Sequence, residues 1–271
     1  MKISMLKITT AVFTRHYLNY KGVELNCKII IQARTGSTRL ANKMLLPFHN
    51  GKTILEILID RLIKAYGSEN IILATTDNKL DDALENVAKQ KGISCFRGDE
   101  QNVLKRFVDC AELHKAESIV RICADNPFLD VQLASELIAF AGKRKCDYAS
   151  YRVNKVPAIK THYGFFAEYV CLIALKRVLL KTTDKLFLEH VTNYIYTNPE
   201  GFNIEWLEAP ESIAASSDIR LTVDTLEDFE ICRSIYSELE SDFSYKDILK
   251  IVNLNPGLQS KMSTQIQKNG K

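Results

Sequence analysis

The chain reads as an α/β protein built on a largely parallel sheet with helices on both faces, and three observations predict it. From residue 27 onward, short apolar runs of strand length alternate with longer stretches whose apolar residues recur at helical spacing. Strands that alternate with helices of this length need crossover connections, which set the strands parallel and the helices on the two sheet faces. The 271 residues, 46% of them hydrophobic, suffice for one large domain of this kind or two small ones.

The elements follow in order. "CKIII" is a buried strand, and Thr53 with Glu56 forms a capping box that opens a helix over "ILEILIDRLIKAYG". "NIILATTD" is the next strand, and "LDDALENVAKQKG" is a helix that Gly92 can end as a left-handed cap. "ISCF" is a short strand and "QNVLKRFVDCAELHKA" a helix. "SIVRICAD" is a third apolar strand, which Pro127 stops because proline cannot donate to a sheet ladder. A helix over "VQLASELIAFAGKR" completes this half.

In the second half "CDYASY", "THYGFFAEYV" and "FNIEWLEA" read as strands and "LFLEHVTNYIYTN" as a helix. "RLTVD" reads as a short strand opening onto the helix "TLEDFEICRSIYSELE". With no internal repeat or long linker, residues 27–256 are expected to form one domain with an inserted subregion at about 147–210. Residues 1–26 are expected to be a disordered extension, and 257–271 a flexible polar tail. As a hypothesis, Lys21-Gly22-Val23 can be encoded by a run resembling a bacterial ribosome-binding site, with Leu25 as a non-AUG start. N-terminal sequencing of the protein from its native host checks this, and a first residue upstream of Val23 ends the idea.

Composition excludes several classes. A net charge of +3 is close to balance, which argues against a nucleic-acid or membrane-surface protein. No apolar stretch reaches the roughly 18 residues of a membrane span, and the first 26 residues lack the apolar core of a signal peptide. The seven cysteines form no C-x-x-C pair, and several lie in apolar runs. They read as reduced thiols of a cytoplasmic protein rather than as a disulfide framework or zinc site.

Chemistry concentrates in the loops at the strand ends, where α/β sheets hold their ligands. "QARTGSTRLANKML" carries Arg34, Arg39 and Lys43 around Gly36 and three hydroxyl residues, with no acid. Such a loop can wrap a polyphosphate, with backbone N–H groups and fixed cations sharing its charge. It lacks the spacing of a Walker A loop and of a dinucleotide fingerprint, and the alternative is a solvated basic surface loop. Asp125 and Asp224 each end an apolar run. On one sheet edge they could hold Mg²⁺ through oxygen ligands; the alternative is that each is a helix N-cap. His162 and His190 lie in polar surroundings compatible with substrate contact or with ordinary surface placement. Asp81-Asp82 and Glu227-Asp228 are expected in first helical turns, where acids favour the helix dipole.

Read together, "IIIQARTGSTRLANKMLLP", "ILATTD", "FRGDEQNVLKRF", "VRICADNPFLD", "EHVTNYIY" and "LTVDTLEDF" resemble the spore-coat-polysaccharide branch of the cytidylyltransferases. These are relatives of the CMP-Kdo and CMP-sialic acid synthetases, and the resemblance spans residues 27–253 in the right order. It implies a three-layer Rossmann-like fold of the nucleotide-diphospho-sugar transferase type with a mainly parallel, mixed sheet. It also implies that Arg34, Arg39 and Lys43, matching A-R-x-x-S-x-R-L-x-x-K, hold the CTP triphosphate, with Ala33, Gly36 and Ser37 of the same signature beside it. Thr75, Thr76 and Asp77 match the segment lining the nucleoside pocket. Asp125 and Asp224 match the Mg²⁺ ligands, and Arg34, Lys43 and Asp125 would carry catalysis.

The chain departs from the family's pattern in three places. Ala41-Asn42 replaces the usual Pro-Gly before the loop lysine, Cys123 stands where the Kdo enzymes have glutamine, and Gly164-Phe165-Phe166-Ala167-Glu168 replaces G-L-D-V-E. The last exchanges an acid for an aromatic residue where the acceptor sugar or a dimer contact is expected.

The implied reaction is in-line attack of an acceptor oxygen on the α-phosphorus of CTP, with Mg²⁺ as cofactor and pyrophosphate as product. Relatives suggest a small acidic sugar of the ulosonic or nonulosonic type, for which Arg152, Lys155, Lys160 and His162 are candidate contacts, with Glu168 and His190. The alternative for these cations is a solvated charged face. The relatives also suggest a homodimer. Two rivals stand beside this reading. A glycosyltransferase on the same fold commonly uses a D-x-D pair, which the chain lacks. A nucleotide-binding protein without catalysis is the other.

Overall fold

In the computed structural model, which describes residues 26–269, the apolar runs become the strands of one sheet. β1 (Cys27–Gln32) leads through a small hairpin, β2 (Pro47–His49) and β3 (Lys52–Thr53), into α1 (Ile54–Tyr66). Then come β4 (Ile71–Thr76), α2 (Asp82–Lys91), β5 (Ser94–Gly98), α3 (Val103–Leu113), β6 (Ser118–Cys123) and α4 (Val131–Arg144). The second half adds β7 (Tyr148–Val153), β8 (Val156–Pro157), β9 (Glu168–Cys171), α5 (Leu172–Lys181), α6 (Lys185–Glu189) and α7 (Asn193–Thr197). β10 (Ile204–Glu208), α8 (Glu211–Ala214), α9 (Leu226–Ser237), α10 (Tyr245–Leu254) and α11 (Pro256–Lys268) follow.

The strand order is β10-β7-β9-β6-β1-β4-β5, with β8 on β7. β9 runs antiparallel to β6 and β7, and β8 to β7; the other pairs are parallel, so the sheet is mixed but mainly parallel. Strand alternation feeds two cores. Ile29 and Ile31 pack in one with Leu55, Leu133 and Phe229, while Ile30 faces the other with Leu104, Phe107 and Leu175. The chain leaves β1 for β4 and β5 and returns to β6 on β1's other side, so a crevice opens beyond the ends of β1 and β6.

Local signals behave as their chemistry dictates. Thr53 and Glu56 form the capping box of α1, and Gly92 ends α2 at φ 67° and ψ 30°. All seven cysteines are free thiols. Residues 147–210 supply β7, β9 and β10 to the main sheet.

Several expectations are corrected. "RLTVD" is not a strand and bends at Thr222; its Leu221 and Val223 N–H groups donate to His162 O and Asp125 O, at 2.8 and 2.9 Å. "THYGFFAEYV" is a strand only over β9, and "LFLEHVTNYIYTN" breaks at His190 into α6 and α7. The tail expected to be flexible from residue 257 is instead mostly α11. Asn255 caps it, Pro256 starts it, and Leu258 and Met262, four residues apart, are buried against the core. The expected extension and start site fall on residues 1–25, outside the described residues, apart from Asn26.

Candidate active site

The loop after β1 folds back over the crevice, and an interior carboxylate holds its start. Asp81 is 2% exposed and accepts five hydrogen bonds. Its Oδ1 receives Thr35 N at 2.8 Å and Thr35 Oγ1 at 2.6 Å. Its Oδ2 receives Thr75 Oγ1 at 2.9 Å, Thr76 N at 3.1 Å and Thr76 Oγ1 at 2.5 Å. Burial works against its ionised form, yet the bonds from Thr35, Thr76 and Thr75 hold its carboxyl below the ordinary range. Asp81 is therefore more than a first-turn acid: it ties the loop to the end of β4. The side chains of Thr75 and Thr76 are spent on it, and Asp77 N donates to Gly98 O at 3.0 Å.

Further along, Ala33 is buried with its N–H on Ala74 O at 3.3 Å, while Gly36 is exposed at the loop tip. A Cβ at Gly36 would meet only Glu100 Oε1, at 3.8 Å, so no close approach demands glycine there. Ser37 N and Asn42 N both bond to Thr35 O, at 2.8 and 3.3 Å. Asn42 takes φ 54°, the left-handed conformation that asparagine tolerates better than most residues, so the exchange of Pro-Gly for Ala-Asn still permits the turn.

That turn delivers Lys43 to both acids. Its Nζ lies 3.1 Å from Asp125 Oδ2, 3.6 Å from Asp224 Oδ1 and 2.6 Å from Val223 O. Arg39 reaches Asp224 Oδ1 at 2.9 Å, and Arg34 reaches Glu189 Oε1 at 3.4 Å across the cleft. Neither aspartate caps a helix: Asp130 caps α4 and Thr225 caps α9. Two carboxylates from distant parts of the chain thus converge on one cation. That donor set suits Mg²⁺, a hard ion that commonly takes one or two carboxylates and completes its shell with water and substrate phosphates. Among the described residues no group of three or more His, Cys, Asp or Glu side chains forms a protein-only metal cage.

The residues expected to contact an acceptor scatter. Glu168 is 2% exposed and pairs with Arg121 at 2.5 Å, while Tyr148 and Thr192 donate to its other oxygen at 2.6 and 2.8 Å. It serves an interior network that Gln32 joins, accepting from Arg121 at 2.9 Å. Arg152 is drawn to Glu208 at 2.5 Å at the β10 edge of the sheet. Lys155 sits in the β7–β8 turn at φ 69°, and Lys160 lies over Tyr196 at 5.1 Å. His190 stands at the α6–α7 break beside Glu189, and His162 Nδ1 meets Arg220 at 2.7 Å. Phe166 packs against Tyr151 with ring centroids 5.0 Å apart, so an aromatic ring in place of the family's acid extends the core. Gly164 is required: at φ 67° its Cβ would lie 3.0 Å from Leu221 O.

Arg106, Arg121 and Arg220 escaped the sequence reading, and Asp81 and Asp228 were legible only as first-turn acids. Arg106 is wholly buried, its Nη1 donating to Asp99 O at 2.6 Å, with Nε and Nη2 unpartnered among the described residues. Burial first, and Arg34 second, lower its pKa. Arg121 and Arg220 carried a signal, each being a lone cation inside an apolar run.

Known proteins resemble the chain in sequence and in fold. A family model described as Cytidylyltransferase matches residues 28–258. The spore coat polysaccharide biosynthesis protein SpsF of Bacillus subtilis (strain 168) is 35% identical over 233 residues, covering 84% of this chain and 94% of that protein. The 3-deoxy-manno-octulosonate cytidylyltransferase of Trichlorobacter lovleyi is 24% identical over 233 residues, covering 78% and 90%. The solved structure of a cytidylyltransferase from Leptospira borgpetersenii matches with a TM-score of 0.78 at 30% identity, covering 86% of this chain and 96% of that one.

Proposed function

The chain belongs to the cytidylyltransferase family, and from that premise we propose that it transfers CMP from CTP to a small acidic sugar for surface polysaccharide synthesis. A hydroxyl oxygen of the acceptor attacks the α-phosphorus, the bond to the bridging oxygen breaks, and pyrophosphate leaves while the hydroxyl proton passes to solvent. The convergence of Lys43 on Asp125 and Asp224 at the β1–β6 crevice carries this reading.

Asp125 and Asp224 would hold Mg²⁺, which when bound neutralises charge on the α-phosphate. Arg34, Arg39 and Lys43 supply fixed cations for the β- and γ-phosphates, whose charge grows as they depart. All three are held by carboxylates here, so the triphosphate competes with Glu189, Asp125 and Asp224 for them. Ala33, Gly36 and Ser37 line the same loop. The Thr75 and Thr76 side chains and the Thr76 N–H are taken by Asp81, and Thr76 O accepts from Arg97 Nε at 2.9 Å, so of the expected nucleoside segment the exposed Asp77 is the contact we retain, with Thr75 and Thr76 shaping the wall behind it. His162 and His190 are the acceptor contacts we retain. Lys160 is kept as a weaker one. Glu168 and Arg152 act indirectly, through the Arg121 and Glu208 pairs.

An ulosonic-type acceptor is favoured by the likeness to the Trichlorobacter enzyme, whose name specifies such an acid. We carry a homodimer as part of the same proposal, to be read by sedimentation. No described helix is long and apolar enough to cross a membrane. The test is pyrophosphate release from each of the four NTPs with Mg²⁺ across ulosonic acids and sugar phosphates. Release with CTP and a carboxylated sugar supports the proposal, and CTP binding without release across that panel favours a binding protein instead.

A further inference from the structure

Arg220 uses every nitrogen of its guanidinium beside the site, yet the proposed reaction gives it no task. It is 1% exposed. Nε and Nη2 fork onto Asp228 Oδ1 and Oδ2 at 2.7 and 2.9 Å. Nη2 also donates to Asp224 Oδ2 at 3.1 Å, and Nη1 lies 2.7 Å from His162 Nδ1 and 3.4 Å from Asn269 O. Asp228 is fixed in turn, because its Oδ2 accepts the backbone N–H groups of Asp224 and Thr225 at 3.1 and 3.0 Å. The guanidinium plane therefore has no freedom to turn.

Two consequences follow from hydrogen-bond chemistry. Arginine only donates, so His162 Nδ1 must be the acceptor, and the ring proton sits on Nε2. Arg220 also occupies Oδ2 of Asp224, which leaves Oδ1 as the oxygen facing Arg39 and Lys43. We propose that Arg220 is a positioning residue that locks His162 as an Nε2–H donor and aims Oδ1 of Asp224 at the nucleotide side. One rigid plane thereby joins the acceptor half of the site to the nucleotide half. Lysine cannot replace it, since an ammonium with three N–H donors lacks the planar fork that here makes five contacts to four partners at once. What the two groups act upon rests on the proposed reaction.

Nitrogen-15 correlation spectra of the full chain near neutral pH test the arrangement directly, with His162 assigned by its loss in His162→Gln. An Nδ1 without a proton and a protonated Nε2 are expected; a proton on Nδ1 overturns the proposal. Arg220→Lys tests the consequence. A displaced catalytic geometry of about 1 Å costs on the order of a hundredfold in rate, so turnover should fall by about that factor and the acceptor KM should rise. CTP affinity measured without Mg²⁺ should not weaken, because a loosened Asp224 competes less for Arg39 and Lys43. A folded variant with parental kinetics, or one whose CTP affinity and acceptor KM worsen in step, overturns the positioning role. If Arg220→Lys does not fold, the spectrum of the unaltered protein decides alone. An unaltered protein that binds CTP but turns over no acceptor sinks the proposed function, while the spectrum still reads the tautomer.

Discussion

Replacing Asp81 with asparagine isolates the anchor of the basic loop. The change keeps shape but removes the charge and one of the two acceptor oxygens. However the amide is turned, one buried backbone N–H, that of Thr35 or of Thr76, then faces an NH₂ group. An orphaned buried donor costs about 1–3 kcal/mol, and loss of charge assistance in the other bonds adds about 1 kcal/mol. The sum is about 3 kcal/mol at its midpoint, and a domain of this size loses about 2–4 °C per kcal/mol. Calorimetry should show Tm falling by about 9 °C, and titration calorimetry should show weaker CTP binding, because Thr35 begins the loop that carries Arg34, Arg39 and Lys43. A Tm within about 2 °C of the parent, smaller than one orphaned donor allows, would refute the anchor.

Other predictions follow from the same geometry. Asp125→Asn and Asp224→Asn should each lose about a hundredfold or more in turnover while the fold survives, read by pyrophosphate release beside circular dichroism. Near-parental turnover in a folded Asp125→Asn protein removes its metal role. Glu168→Gln should cost about 3–5 kcal/mol in urea unfolding, because it strands the buried Arg121 guanidinium; a loss below about 1 kcal/mol contradicts that. Asn42→Val should cost about 1–2 kcal/mol at its left-handed φ and Asn42→Gly nearly nothing, so equal loss in both excludes a backbone cause. Asp81 and Asp228 are both depressed by their partners despite burial, so their stabilisation is complete above the unfolded carboxylate pKa of about 3.9 and is lost as pH falls through the lower folded values. Tm should be nearly flat from neutrality to about pH 5 and drop below about pH 4, less steeply in Asp81→Asn.

The first half of the fold was legible because its signals are local. The helical spacing of "ILEILIDRLIKAYG", the Thr53–Glu56 box and the Gly92 cap each act within a turn of chain. The second half is shaped by distant partners. "RLTVD" has strand composition, but its N–H groups bond to residues 162 and 125, so no ladder forms. The helix expected across His190 breaks where Thr192 turns inward to Glu168. In α11 an Asn–Pro start and a sparse apolar stripe are too weak a pattern to outweigh a polar composition. The same division holds at the site. Lys43, Asp125 and Asp224 stand at the ends of recognisable runs, whereas Asp81 looks like any first-turn acid until Thr35, 46 residues earlier, folds onto it.

Cytidylyl transfer itself is tested most directly by following label. With CTP labelled at the α-phosphate or at the γ-phosphate, Mg²⁺ and an ulosonic acid, α-label should move into a sugar product and γ-label into pyrophosphate. Label that stays in CTP while CTP binds, or γ-label released as inorganic phosphate with no sugar product, would contradict the account.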